Sequence, residues 1–297
     1  MKKLPTPEID YRRLRPGNLC SKEFRHLWLL LYWPLYGLLF YYVELAYPVD
    51  YYFPVYSPLD DLIPFNELFV IPYTIWFAYL AGMVVYSLFY DVDTFKRYMW
   101  FIMITYTVTI VIYLIFPTCQ NLRPEEFARD NALTRFMAGY YATDTNTNVC
   151  PSIHVLGSLA VTFAAWHCYR LQRPVWKWSF GIMGVLIAIS TVFVKQHSII
   201  DVFAALPLCL FAWWLCFLRK KKKKRASTEQ VIVDISEYDP GYHVEFEAGK
   251  EIRTITTKDA NGNYNKHFMK ELDIYERGIK VGDYVVPDER GLLKRVE

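Results

Sequence analysis

Long apolar runs separated by short polar stretches occupy the first three quarters of the chain. They lie at approximately Leu27–Val43, Leu68–Tyr90, Met99–Phe116, Ile153–Tyr169, Ser179–Val194 and Ile199–Leu218. A helix needs roughly 20 apolar residues to cross a ~30 Å hydrocarbon core. In lipid every backbone N–H and C=O must be satisfied within its own segment, so each run is expected to be a helix. The fifth run is the shortest and the richest in glycine. Only Lys195–Ser198 separates the last two, and a single broken run is the alternative there. A continuous helix would exceed the bilayer and hold Lys195, His197 and Asp201 in lipid, which favours two. The first run follows a basic leader and is too long for a signal-peptide core, so it reads as a retained helix.

The pattern changes after Arg225. Residues 226–297 are polar and of mixed charge. Val231–Ile235, His243–Phe246 and Ile252–Thr256 are β-branched or alternating, Asn261-Gly262 is a tight-turn signal, and Lys280–Pro287 reads as a further strand after Gly278. The expected architecture is an all-α membrane protein: a six-transmembrane-helix bundle followed by a small cytoplasmic C-terminal β domain. Residues 1–26 form a cytoplasmic basic leader, 27–218 the transmembrane catalytic domain, 219–225 a polybasic linker and 226–297 the β-rich domain. No catalytic motif falls in the last of these, and the sequence does not name its partner.

The net charge of +3 says little, but its distribution fixes an orientation. Lys2, Lys3, Arg12, Arg13, Arg15, Lys22 and Arg25 lie in the leader. Lys96 and Arg97 follow the second run, Arg170, Arg173 and Lys177 the fourth, and the unbroken basic run Arg219–Arg225 the sixth. The alternate loops are poor in such residues: Ala46–Glu67 has none, and Gln120–Pro151 only Arg123, Arg129 and Arg135. The positive-inside rule then places both termini in the cytoplasm of a multi-pass cell-membrane protein. Arg219–Arg225 is read as an anchor for the last helix, with contact to anionic headgroups, about 1 kcal/mol per residue, as a further role. No nucleic-acid partner is expected. The Tyr-, Pro- and Phe-rich loop Ala46–Glu67 is read as an interfacial connector, or as a lid over the outer leaflet.

This topology gathers three polar clusters on the outer side: Asn121-Leu122-Arg123-Pro124, Cys150-Pro151-Ser152-Ile153-His154, and Lys195-Gln196-His197-Ser198-Ile199-Ile200-Asp201. His197 and Asp201 share a helical face at a spacing of four. A carboxylate beside an imidazole fixes its tautomer and favours the cation formed in reaction, which equips His197 as a nucleophile toward phosphorus. His154 is suited to protonating a leaving alkoxide. Arg123 and Lys195 supply charge for phosphate oxygens, and Ser152 adds a hydrogen bond. Taken singly, each has a plainer reading as a cap, an ion pair or an interfacial residue. A zinc site is the competing reading of two histidines and an aspartate. It is disfavoured by neighbouring cations and by the absence of a His-Glu-x-x-His pattern, so neither metal nor cofactor is expected. Cys20, Cys168, Cys209 and Cys216 read as small apolar packing residues. Cys119 and Cys150 share the outer loop, where an oxidising compartment allows a disulfide and two free thiols are the other reading.

The clusters resemble the three motifs of the type 2 phosphatidic acid phosphatase superfamily: Arg123-Pro124, then Pro151-Ser152-Ile153-His154, then Ser190 with His197 and Asp201. Phe116 and Thr191 stand where that family carries a lysine and an arginine that hold phosphate. The resemblance implies a metal-independent reaction through a phosphohistidine: His197 attacks, Asp201 orients it, and His154 is general acid and later base. Water as acceptor gives a lipid phosphate phosphatase, the leading reading. A lipid or polyol hydroxyl gives a phosphotransferase, as in the sphingolipid-synthase-like branches. The third reading is an inactive membrane protein whose tail binds a partner.

Overall fold

The first apolar run folds as a 3-10 stretch, Arg25–Leu31, that passes into helix α1, Tyr32–Leu45. The computed structural model describes residues 7–219, 230–237, 252–259, 263–288 and 292–296. After α1 the chain makes a short strand β1 (Phe53–Pro54) and a single-turn helix α2 (Pro58–Asp61), started by the Ser57 hydroxyl as N-cap with Asp60 reaching back to the Ser57 N–H. α3 (Val70–Tyr90) and α4 (Val92–Ile115) carry the second and third runs, divided at Asp91, whose carboxylate caps α4 through the Thr94 N–H. β2 (Thr118–Cys119) pairs in parallel with β1. Next come α5 (Ala132–Thr143), capped by Asn131, and α6 (Ile153–His167). α7 (Pro174–Phe193) has proline at its first position, and α8 (Ile199–Trp213) runs on through a wider π turn to Leu218.

The sequence predicts six spans; among the described residues four stretches have the length and composition to cross a membrane. They are Glu67–Tyr90, Val92–Ile115, Pro174–Phe193 and Ile199–Leu218. The fifth run, expected to be the shortest, is drawn out to 20 residues because α7 starts at Pro174. The fourth run is the short one: α6 has 15 residues, about 22 Å of helix. α6 is also the central helix, with α3, α4, α7 and α8 packed on it. Its Gly157, Ala160, Ala164 and Ala165 let those neighbours come close. A Cβ on Gly157 would lie 2.6 Å from the Tyr106 hydroxyl and 2.9 Å from Trp76 Nε1, so only glycine permits that packing. Tyr98, Phe101, Ile102, Tyr106 and Tyr113 of α4 fill the rest of the core.

The C-terminal unit is an antiparallel five-stranded sheet. Its strands are β3 (Gln230–Glu237), β4 (Ile252–Lys258), β5 (Tyr264–Lys270), β6 (Tyr284–Pro287) and β7 (Leu293–Arg295), in the order β5-β4-β3-β6-β7. A short helix α9 (Glu271–Glu276) follows β5. Ile232, Ile255, Met269, Ile274, Ile279, Val285 and Leu293 form its core. The expected strand Lys280–Pro287 begins only at Tyr284, because Gly282 turns the chain at φ +93°. His243–Phe246, the Asn261-Gly262 turn and the basic run beyond Arg219 lie outside the described residues.

Candidate active site

α6 and α8 start at the same end of the bundle, and the backbone there is stitched together. The Ser152 N–H donates to the Asp201 carbonyl at 3.2 Å. α7 ends in a Schellman turn: the N–H of Gln196 bonds the Thr191 carbonyl and that of Lys195 the Val192 carbonyl. Lys195 occupies the left-handed position of this turn at φ +53°, where glycine is the usual residue. The turn ends α7 and places His197 one residue before the cap of α8.

His197 Nδ1 lies 3.1 Å from Asp201 Oδ2, and the Ser198 N–H donates to that same oxygen at 2.9 Å. With its Nδ1–H given to Asp201, His197 keeps its lone pair on Nε2. The His154 ring centroid is 5.7 Å from that of His197. His154 packs on Tyr73 and Trp76 at 4.5 and 4.3 Å, and neither of its ring nitrogens has a protein partner. Ser152 is wholly buried with its hydroxyl likewise unpartnered; it stands at the N-cap of α6 but makes no side-chain cap bond. The first-turn N–H groups of α6 therefore bring the positive end of a helix to the two histidines.

The two expected phosphate-binding cations have other partners. Arg123 donates to the carbonyls of Tyr141 (3.3 Å), Asp144 (3.0 Å) and Thr145 (2.6 Å) and to Gln196 Oε1 (2.6 Å), with Tyr141 beneath it at 4.6 Å. It thus caps the C-terminus of α5, where a cation complements the free carbonyls. Lys195 Nζ donates to the Asp60 carbonyl at 2.7 Å, and burial lowers its pKa against the pull of Asp60 and Asp61. At the two positions where the resemblance would place cations, Phe116 stacks on Phe53 at 4.2 Å and the Thr191 hydroxyl bonds the Ala188 carbonyl. Ser190 bonds the Ile187 carbonyl. Cys119 and Cys150 are both free thiols. Burial, with Asp201 alongside, pushes the Cys150 thiol up to about 12. Among the described residues no group of three or more His, Cys, Asp or Glu side chains is placed to hold a metal ion.

Several residues that the sequence reading passed over join the site. Asp60 is fully buried; its carboxylate accepts from the Ser57 N–H (2.8 Å), the Ser198 hydroxyl (2.6 Å) and the Ile199 N–H (2.8 Å). It ties the loop after α1 to the start of α8. The spacing Ser57-x-x-Asp60 signals a helix start, but nothing local points to Ser198. Gln196 bridges Arg123 and Asp144. Burial pushes Asp144 up to about 6, against Arg123 and His197. Glu44 accepts from the hydroxyls of Thr145 and Thr147. A carboxylate ending an apolar run was the available signal for Glu44.

His154, His197 and Gln196 line a cavity of about 560 Å³ whose far wall is α1 and α3, including Trp33, Tyr36, Phe77 and Val84. Gly37, Phe77, Ala81 and Val85 line it and are also exposed on the flank of the bundle. Lys195 and Arg123 are not among its lining residues. Comparison with curated proteins and with solved structures yields no match. The family model described as the PAP2 superfamily matches residues 97–225, from α4 through α8, leaving α1, α3, Glu44 and Asp60 outside the matched segment. The matched segment carries both histidines, and over it the chain is similar to the PAP2 superfamily.

Proposed function

We propose that the protein is a membrane-embedded lipid phosphate phosphatase that works through a phosphohistidine at the non-cytoplasmic face. The observation that carries this reading is the cavity: it has the His197–His154 pair at one end and an apolar opening on the flank of the bundle between α1 and α3. An amphiphile entering from the bilayer can keep its chains on Phe77, Ala81 and Val85 while its phosphate meets the histidines.

His197 Nε2 attacks phosphorus as the ester P–O bond breaks. Asp201 holds Nδ1–H and stabilises the cation that forms. His154 protonates the departing alkoxide, then takes a proton from the water that cleaves the P–N bond. The phosphoryl oxygens are met by the N-terminus of α6, a hydrogen bond from the Ser152 hydroxyl and the protonated His154, with Arg123 behind Gln196. Lys195 would join them on release from Asp60. Six crossings with both termini cytoplasmic complete the proposal, α1 and the short α6 crossing as well as the four long helices. The C-terminal β unit would then lie in the cytoplasm.

A transferase using the same site is the second reading. It is favoured by the polar groups of the cavity beyond the histidines, Glu44, Asp144 and Asn148. The test is to incubate purified protein with a panel of lipid phosphates, with chelator present, with and without alcohols. Phosphate release supports the phosphatase and a new phosphoester the transferase. The absence of both rejects an enzyme of this kind.

A further inference from the structure

The cavity holds more hydrogen-bonding groups than a phosphate and two acyl chains would use. Asn148 is only 5% exposed, lines the cavity, and has neither its amide Nδ2 nor its Oδ1 paired. Its left-handed backbone, φ +51°, is fixed by its N–H on the Thr118 carbonyl. Glu44 accepts both threonine hydroxyls on Oε2, while its buried Oε1 faces no partner. The hydroxyl of the buried Tyr36, on the same cavity, is unpaired as well. Gln196, the residue before His197, donates to Asp144, and both line the same cavity. Buried polar groups left unpaired are costly, so a set that converges on one cavity is arranged for a ligand.

The mixture of groups identifies the ligand chemistry. A trimethylammonium group would suit Glu44 and the aromatic rings but would leave the Asn148 and Tyr36 donors unmet. A phosphate would meet the donors and be repelled by Glu44. Vicinal hydroxyls, each both donor and acceptor, answer all of them.

We propose that Asn148, Glu44 and Tyr36 form a hydroxyl-binding subsite that seats a polyol beside the His154–His197 pair. The proposal rests on the reading of that pair as a phosphoryl-transfer site. The polyol is either the head group of the lipid substrate or a free acceptor. As acceptor, its hydroxyl oxygen forms the new bond to phosphorus, the P–N bond to His197 breaks, and the hydroxyl proton passes to His154.

The full chain in phosphatidylcholine nanodiscs is titrated with glycerol and myo-inositol, followed by saturation-transfer NMR. Propan-1-ol and choline serve as controls. Saturable polyol binding is expected in the wild type and equally in His197→Ala, with no competition by choline. Asn148→Gly, which keeps the left-handed backbone, and Tyr36→Phe, which removes one oxygen, should each weaken it about tenfold. Turnover of a lipid phosphate then separates the sources: a phosphorylated polyol marks the acceptor, and competitive inhibition without such a product marks the head group. Absence of turnover with polyol binding intact would reject the phosphatase reading while leaving the subsite standing. Non-saturable polyol binding, displacement by choline, or wild-type polyol affinity in both variants overturns the subsite.

Discussion

Replacing Asp60 by alanine removes a side chain that fastens the loop after α1 to the start of α8. Three donors lose a charged acceptor at once: the Ser57 N–H, the Ser198 hydroxyl and the Ile199 N–H, all at 2.6–2.8 Å in a fully buried setting. A hydrogen bond to a charged group contributes about 1.5–3 kcal/mol, and part of the loss is offset because the buried carboxylate no longer has to be desolvated. The net cost is therefore about 3–5 kcal/mol, the range seen when a buried charged network is broken on one side. For a unit of this size that lowers the melting temperature by about 10 °C. The chemistry should suffer separately, because Ser198 adjoins His197 and a displacement on the order of 1 Å costs about a hundredfold in rate. Asp60→Asn keeps one acceptor oxygen and should fall between. Thermal unfolding in detergent, together with kcat and KM at a permissive temperature, reads both effects. An Asp60→Ala protein with unchanged melting temperature and kcat would show that the carboxylate does not hold α8, and would refute the reasoning.

Asp144 gives a pH signature. Its carboxyl is raised from 3.8 to about 6, so the folded chain holds a proton that the unfolded chain releases. Stability should therefore fall as pH rises from about 4 to about 6, by about 3 kcal/mol, and level off above; Asp144→Asn should flatten that slope and raise the melting temperature at pH 7. Lys195 separates backbone from charge: Lys195→Gly suits the left-handed turn at φ +53° and should keep the fold. A kcat loss of tenfold or more in that variant assigns the ammonium group to phosphate, whereas near-normal kinetics leaves it as a tie to Asp60. For the topology, single cysteines placed within 46–67 and 120–148 should react with an impermeant reagent on intact cells, and one within 170–177 should not. The reverse pattern would put the histidines in the cytoplasm.

The residues of the candidate site were more legible than their surroundings. His154, His197 and Asp201 stand out because polar groups beside apolar runs are costly, and the helical spacing of the last two already implies their contact. The partners of the two cations were harder to read. Arg123 and Lys195 advertise positive charge, but which acceptor a cation finds depends on carbonyls supplied from elsewhere, here the end of α5 and the turn at Asp60. Hydropathy locates apolar runs but not helix ends. It missed Pro174 as the start of α7, and it could not foresee that α6, enclosed by four helices, would stay short. α5 was overlooked because its apolar and polar residues mix in a loop read for its motifs alone. Asn148 owes its place to a backbone conformation and to a partner carbonyl at Thr118, neither of which leaves a trace in neighbouring residues.

The most direct test of the account is to trap the covalent intermediate. A lipid phosphate carrying radiolabelled phosphorus is mixed with the purified protein in chelator and quenched within milliseconds. The label should appear on the protein as an acid-labile, alkali-stable adduct, map to the peptide containing His197, and accumulate in His154→Ala when an activated ester is used. It should vanish in His197→Ala together with turnover. Turnover in His197→Ala at the wild-type rate, or label on any other residue, would contradict the phosphohistidine mechanism.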